Sequence, residues 1–200
     1  MIHHVRCTLD GTHRRPLLLH NGAQANPLNP YAKEMKAISR RRNKTEDDYA
    51  KLARIEWTAS LYLADLGQGI QIVIPGQNVE AMIVESAKRK RQGKTAKAGI
   101  FCYGPFPLEY DGPQDIKELW EDETFRHVST PPVRGNRVVR TRPHFPNWRL
   151  PIEIHYESEL FSEEDLKALV ENAGRYVGLG DWRPRYGTFE VQDWQPVRSD

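Results

Sequence analysis

The chain of 200 residues has little cysteine: only Cys7 and Cys102, each inside a run that reads as a strand. Two distant cysteines do not make a disulfide framework, so we expect two free, buried thiols and an intracellular protein. The histidines are scattered without the spacing of a ligand set. The sequence therefore predicts neither a metal site nor a cofactor.

Long apolar stretches are also missing. No run approaches the roughly 20 apolar residues that a membrane-spanning helix needs. The first residues, Met-Ile-His-His, lack the apolar segment of a signal peptide. We therefore expect no membrane partner and a cytoplasmic location.

A strong excess of one charge is absent as well, since 29 Lys and Arg stand against 27 Asp and Glu, a formal net charge of +2. Such a balance does not by itself indicate a nucleic-acid partner. Any such indication has to come from local clusters of basic residues.

The first basic cluster follows a predicted strand, Ile70 to Ile74, and a predicted helix that starts at Gln77 or Asn78 and runs to about Arg91. Cations suit the end of a helix, but the cluster contains six basic residues with no acid between them, which exceeds what capping needs. Phosphate contact and a solvent-exposed face both remain open. The basic residues are Lys88, Arg89, Lys90, Arg91, Lys94 and Lys97.

The second cluster is a predicted hairpin, with strands at Arg137 to Arg142 and Trp148 to Tyr156. Five arginines and no acid lie between Arg134 and Arg149. Arginines beside an aromatic ring form a surface suited to tracking a nucleic-acid backbone and stacking its bases. The alternative is a plain solvent-exposed sheet face. The candidate contacts here are Arg137, Arg140, Arg142 and Trp148.

The third cluster is a glycine-rich loop, Gly178 to Val191, between a helix capped by Ser162 and a last strand at Thr188 to Val191. Peptide N–H groups in such a turn can form a nest for anions, and aromatic rings can stack bases. The alternatives are an ordinary helix-to-strand turn and a core position for the tryptophan. The candidate residues are Gly178, Gly180, Trp182, Arg183, Arg185, Tyr186 and Gly187.

The order of the remaining elements predicts an α+β fold. We treat residues 1–200 as one domain with two insertions, a helical one at about 21–69 and an irregular one at about 104–136. What remains, starting from the strand Ile2 to Leu9, reads as a ferredoxin-like (RRM-like) βαββαβ core with a protruding β-hairpin. The open face of such a sheet is a common surface for nucleic acid.

Two segments resemble the RAMP superfamily of CRISPR repeat-associated proteins. Ile72 to Met82 resembles its strand, Ile-Pro-Gly and helix segment, and Gly178 to Val191 resembles its glycine-rich loop. The first strand with Pro16-Leu-Leu-Leu-His20 is similar to the start of Cas7-type members. The chain is shorter than typical Cas7 subunits and has Ala81 where a glycine is usual, which also suits a small stand-alone, phage-encoded member.

The resemblance implies a binding protein rather than an enzyme. Members of this type coat guide RNA as backbone subunits, so it implies sequence-independent binding of single-stranded RNA or DNA. It also implies self-association or association with a Cas-type protein complex, in a bacterial or phage-infected cell. The three clusters would face the RNA, and Gly76 would join the glycines of the loop as a backbone cradle.

Two alternatives stay open. One is a phage anti-CRISPR protein that mimics or caps a Cas complex. The other is a Cas6-like, metal-independent ribonuclease that uses histidine as general acid or base. Its candidates, none within a recognisable catalytic motif, are His3, His4, His13, His20, His144 and His155.

Overall fold

A computed structural model describes residues 1–133 and 135–197, and only the backbone of Val133 and Asn136. Its helices are α1 (Pro30–Ser39), α2 (Glu46–Ser60), α3 (Gly76–Lys88), α4 (Gly93–Gly99), α5 (Ile116–Glu121) and α6 (Glu163–Tyr176), with 3-10 turns at Gly22–Ala25 and Glu123–Phe125. None of the described helices combines the length and the apolar character needed to cross a membrane.

The strands are short apart from four. They are β1 (Ile2–Asp10), β2 (Leu17–Leu18), β3 (Leu63–Asp65), β4 (Ile70–Ile74), β5 (Ile100–Phe101), β6 (Phe106–Pro107), β7 (Glu109–Tyr110), β8 (Arg126–Ser129), β9 (Pro132–Val133), β10 (Asn136–Arg137), β11 (Arg140–Phe145), β12 (Trp148–Glu157) and β13 (Glu190–Val197). Helices and antiparallel strands together make the protein α+β, as the sequence predicts.

The chain divides into two compact units. The first unit contains Met1–Leu17, Leu63–Asp111 and the chain from Pro146 onwards, and the second contains Leu18–Tyr62 and Gly112–Phe145. The two stretches of the second unit overlap the segments predicted as insertions. Segments distant in sequence therefore share one compact unit.

The first unit is built on an antiparallel sheet with the order β13-β1-β12-β5, in which β7 also pairs with β12. Residues alternate between the two faces of a strand, so the pairs Val5↔Ile154 and Leu9↔Leu150 lie on the same face. All four are fully buried. This face of the sheet forms part of the core.

Helices α3 and α6 of the same unit pack against each other, and Ser86 Oγ donates a 2.8 Å hydrogen bond to the carbonyl of Leu169. Gly174 lets the chain at Phe189 approach, because a Cβ there would lie 2.4 Å from the Phe189 carbonyl oxygen. The predicted core residues of both helices are buried: Val79, Met82, Ile83, Ser86, Ala87, Leu166, Leu169, Val170, Ala173 and Val177.

The second unit packs α2 against β11, and β11 pairs with β8. Helix α2 begins with a full capping box between Thr45 and Asp48, as the sequence predicts. Trp57 is completely buried and its Nε1 donates a 2.8 Å hydrogen bond to the Phe125 carbonyl. The stretch at about 104–136, which we expected to be irregular, thus supplies both a strand and a core residue.

The predicted hairpin is wrong. In the described ladders, β11 pairs with β8 (Arg142↔His127) whereas β12 pairs with β1 (Cys7↔Ile152). The strand that pairs with β11 is β8, which lies in a stretch that we expected to be irregular. Without a predicted strand there, β12 was the nearest predicted partner along the chain. The last strand also runs further than predicted, to Val197 instead of Val191.

Candidate nucleic-acid interface

A groove of about 520 Å³ in the first unit, here called the loop groove, brings two of the three predicted clusters together. One side comes from the end of α3, the other from the end of α6 and the glycine-rich loop. Its lining residues are Glu85, Arg89, Tyr176, Val177, Gly180, Asp181, Trp182, Arg183 and Pro184.

Helix α3 ends in a tight turn, which sets the position of its basic residues. The helix ends at Lys88 rather than at the predicted Arg91. Arg91 has φ 60°, in the left-handed region, and the Gln92 N–H reaches back 3.0 Å to the Ala87 carbonyl. This hydrogen bond satisfies a carbonyl at the helix end, as in a Schellman motif. The chain therefore turns while Lys88, Arg89 and Lys90 stay exposed.

Arg89 is held over an aromatic ring. Its guanidinium carbon lies 4.8 Å from the centroid of the Tyr176 ring, which is a cation–π distance. Tyr176 is half exposed (50%). Sequence reasoning missed this residue, and the available signal was a tyrosine in the last turn of a helix, directly before the glycine-rich loop.

Trp182 is exposed rather than part of the core, which removes the core alternative for this residue. It is 40% accessible, and its ring lies 6.1 Å from that of Tyr186 with an interplanar angle of 33°. Its own backbone has φ 52°, and Gly180 has φ 81°. Left-handed backbone at these two residues, on either side of Asp181, thus brings a large aromatic ring to the surface of the loop.

The remaining glycines of the predicted cradle are required by the chain itself. A Cβ on Gly187 would lie 1.8 Å from the Leu179 carbonyl oxygen, and one on Gly178 would lie 2.7 Å from that of Tyr186. A Cβ on Gly76 would lie 1.8 Å from the carbonyl oxygen of Cys102. Close approach of the protein's own backbone accounts for these glycines, so they do not by themselves indicate a ligand.

Of the cations around the loop groove, one pairs with an acid within the described part of the chain. Lys88 pairs with Glu85 at 2.6 Å. Among the residues that the structure describes, the other cations of these two clusters form no ion pair. These are Arg89, Lys90, Arg91, Lys94, Arg183 and Arg185, and all are exposed.

The β11 arginines differ because both pair with an acid, and the expectation of exposure is wrong for Arg142, whereas the side chain of Arg140 remains 37% exposed. Arg140 Nη1 and Arg142 Nη1 lie 3.1 and 3.0 Å from Oε1 of Glu56, and the Thr141 N–H donates to Oε2 at 3.0 Å. The side chains of Glu56 and Arg142 are only 11% and 12% exposed. The acid was missed because it lies on α2, 84 to 86 residues earlier in the chain.

Trp148 is the second correction, because it has no surface on which a base could stack. Its side chain is 1% exposed, its ring lies edge-on to Phe189 at 6.1 Å, and its Nε1 donates to the Arg15 carbonyl at 3.4 Å. The tryptophan begins β12 on the buried side of the sheet. Arg137 is exposed and donates to the Thr130 carbonyl at 3.3 Å, while Arg134 lies outside the described residues.

The outer face of the sheet, defined by His4, Arg6, Asp10, Arg149, Glu153 and His155, is balanced in charge. Arg6 pairs with Glu153 at 2.7 Å and Arg149 with Asp10 at 3.1 Å, and Arg14 pairs with Glu190 beside them. The hydrogen bond from Arg6 lowers the pKa of Glu153. These arginines are therefore already paired with carboxylates and are less available to bind a phosphate.

For Asp10, burial alone would raise the pKa, but the hydrogen bonds from Thr12 and the Arg149 charge outweigh it and lower the pKa. Cys7 and Cys102 are free and buried, as expected. Burial raises the pKa of the Cys7 thiol to about 12 and also raises that of Cys102. Neither thiol forms a reactive thiolate near neutral pH.

Two of the predicted histidines meet on the outer face. The rings of His4 and His155 stack with centroids 5.1 Å apart, and Tyr103 contacts His155 edge-on at 4.8 Å. His155 Nε2 lies 3.0 Å from Glu153 Oε1. The β1–β12 register, which sets His4 opposite His155, produces this cluster.

Comparison with protein-family models gives no match for this chain. Comparison with curated proteins gives none either. The geometry of the loop groove and of the outer face is therefore the basis for inferring a function.

Proposed function

We propose that this protein binds single-stranded nucleic acid, RNA in particular, in the loop groove. One observation carries the proposal: the basic end of α3 and the glycine-rich loop, far apart in sequence, line a single groove. That groove combines an exposed tryptophan with cations that have no acid partner among the described residues.

This combination has a physical role in strand binding. Exposed cations attract phosphates and release counterions when they are neutralised. An aromatic face stacks any base, which makes the contact tolerant of sequence. Arg89 is already oriented by Tyr176, so less side-chain entropy is lost when it contacts a phosphate.

The strand order supports the finer part of the proposal, a ferredoxin-like core. In chain order, β1, α3, β5, β12, α6 and β13 follow the βαββαβ pattern, and the four strands lie in one antiparallel sheet. Together with the segments that resemble RAMP proteins, this favours a Cas7-like binding protein, one that associates with further copies or with a Cas-type complex.

A second candidate, metal-independent ribonuclease activity, is favoured by the contact between His4 and His155. Such cleavage needs one group that takes a proton from the attacking hydroxyl and another that gives a proton to the leaving oxygen. Two imidazoles 5.1 Å apart are close enough to share that task.

The test measures binding of a fluorescent 15-nucleotide single strand, as RNA and as DNA, by anisotropy at low salt. The groove variant carries Arg89→Gln and Arg183→Gln, the two arginines that line the groove. The control variant carries Arg6→Gln and Arg14→Gln, which removes the same charge from exposed ion pairs. Such pairs contribute about 0–1 kcal/mol each to stability, so the control keeps its fold.

We expect the groove variant to lose most of the affinity and the control variant to keep it. Equal loss in both variants would contradict a binding site in the loop groove. Little affinity of the wild type for free strands, together with binding to a Cas subunit assembly, would favour the anti-CRISPR alternative. To test the ribonuclease candidate, the wild type and His155→Ala are incubated with the same strands in EDTA and run on a denaturing gel. If this candidate is right, the wild type cleaves the RNA and His155→Ala does not.

A further inference from the structure

Four aromatic and imidazole rings lie in a row across the outer face of the sheet. The ladders set His4 opposite His155 and His155 opposite Phe101, so three neighbouring strands each contribute one ring. The fourth ring, that of Tyr103, lies edge-on to His155 at 4.8 Å and parallel to Phe101 at 6.4 Å, with an interplanar angle of 7°. We call these four residues the ring row.

The ring row is more exposed than a packing role requires. Tyr103 is 69% exposed, whereas Phe161 and Phe189 of the same unit are each 2% exposed. A ring that stays in water contributes little hydrophobic free energy to folding. The exposed end of the row is therefore available to a ligand.

The backbone next to Tyr103 is held from two directions. The Cys102 N–H donates a 2.7 Å hydrogen bond to Oε1 of Glu80. The carbonyl oxygen of Cys102 packs against Gly76, where a Cβ would lie 1.8 Å from it. A ring on such a fixed backbone loses less conformational entropy when it contacts a ligand, which favours binding.

The cations beside the ring row are already paired. Arg6 donates to Oε2 of Glu153 at 2.7 Å, and Oε1 of the same carboxylate lies 3.0 Å from Nε2 of His155. Arg149 pairs with Asp10. A nucleic-acid strand on this face therefore meets rings rather than unpaired arginines, which favours contact with its bases over contact with its phosphates.

We propose that the ring row is a second contact surface for single-stranded nucleic acid, on which bases stack without a phosphate contact. Every base has a π-face, so stacking on these rings is tolerant of sequence. A cavity of about 340 Å³, with Arg6, Phe106 and Glu153 in its lining, opens beside the row and leaves space for a flanking base. This role rests on the proposed function and extends it beyond the loop groove.

The test compares two exposed tyrosines by anisotropy with the fluorescent 15-nucleotide RNA strand. Tyr103→Ala removes the most exposed ring of the row, and Tyr103→Phe keeps a ring there. Tyr49→Ala is the matched control, because Tyr49 is 61% exposed and has no ring contact within the described part of the chain. We expect about a fivefold or larger loss of affinity in Tyr103→Ala, as for one stacked base, and wild-type affinity in the other two variants.

Salt dependence separates the ring row from the loop groove. Stacking neutralises no phosphate, so Tyr103→Ala is expected to lower the affinity by the same factor at every salt concentration. His155→Phe separates stacking from proton transfer, because it keeps a flat ring and removes the imidazole. We expect this variant to retain strand binding.

A second measurement uses the wild type alone and does not depend on any variant folding. RNA strands that carry 5-iodouridine are photocrosslinked to the protein, and the labelled peptides are mapped by mass spectrometry. We expect a label on Tyr103 or His155. Circular dichroism checks the fold of each variant.

Four outcomes would overturn the inference. Unchanged affinity in a folded Tyr103→Ala, or an equal loss in Tyr49→Ala, excludes stacking on the row while leaving binding in the loop groove in place, and would point to a protein partner for these rings. A smaller salt slope in Tyr103→Ala would indicate phosphate contact instead. Crosslinks that avoid all four rings exclude the row directly. Absence of detectable binding of the wild type to any strand at low salt refutes the proposed function and this inference together.

Discussion

The arginines of β11 and the arginines of the loop groove look alike in sequence, but they differ in whether an acid reaches them. Arg140 and Arg142 converge on one carboxylate, that of Glu56. Arg89 and Arg183, which line the loop groove, have no ion-pair partner within the described part of the chain. Local charge density thus measures how many cations a segment carries, whereas the fold decides which of them are available to a ligand.

The difference has an energetic basis. A buried, hydrogen-bonded ion pair has already lost its hydration, and separating it leaves a charge in a low-dielectric site. An exposed cation without a partner exchanges only water and counterions for a phosphate. The β11 arginines are therefore expected to stabilise the second unit, and those of the loop groove to bind.

The largest effect that we predict is the loss of the Glu56 pairing. Glu56→Ala removes the acceptor of Arg140, Arg142 and the Thr141 N–H at once. Breaking a buried pair by removing one partner costs about 3–5 kcal/mol of unfolding free energy. Urea denaturation followed by circular dichroism measures this value.

The control for that prediction is an exposed pair in the same unit. Glu123 is 90% exposed and pairs with Arg126 at 3.1 Å, so Glu123→Ala is expected to cost less than about 1 kcal/mol. If Glu56→Ala costs no more than this control, the β11 arginines are held no more firmly than surface residues. The β11 arginines would then not differ from those of the loop groove in their contribution to stability.

The two tryptophans Trp148 and Trp182 extend the contrast to aromatic residues. Trp148 is buried and Trp182 is 40% exposed. Trp148→Ala is expected to cost about 3–5 kcal/mol of stability, as for other large-to-small core changes. Trp182→Ala is expected to leave the melting temperature nearly unchanged and to weaken strand binding by about 1–3 kcal/mol, the value of stacking on one base.

Thermal melts and binding titrations on both variants separate the two roles. A melting temperature that falls by several degrees in Trp182→Ala would place this residue in the core after all. Unchanged binding in a folded Trp182→Ala would exclude stacking on this ring.

The sequence predicted best what depends on local pattern. The capping box at Thr45, the first strand and the core positions of α6 follow from residue chemistry and spacing within a few residues. The α+β class follows from the order of such elements. Each of these features is decided by neighbours in the chain, so a single sequence contains the necessary information.

What the sequence did not predict depends on distant partners. The pairing of β11 with β8 and the reach of Glu56 to β11 are set by tertiary packing. The same holds for the burial of Trp148 and for the contact of Arg89 with Tyr176. Composition marked Trp148 and Trp182 equally, whereas the fold places Trp148 on the buried side of a strand and Trp182 on an exposed loop.

The most direct test of the contrast between paired and unpaired cations is the salt dependence of strand binding. The logarithm of the affinity is plotted against the logarithm of the salt concentration for the wild type, the groove variant and the control variant defined above. Each phosphate contact on a single strand contributes about 0.7 to the slope. If the two groove arginines each contact one phosphate, the slope of the groove variant is smaller by about 1.4, and that of the control variant is unchanged. Equal slopes in the wild type and the groove variant, or an equal reduction in both variants, would contradict the account.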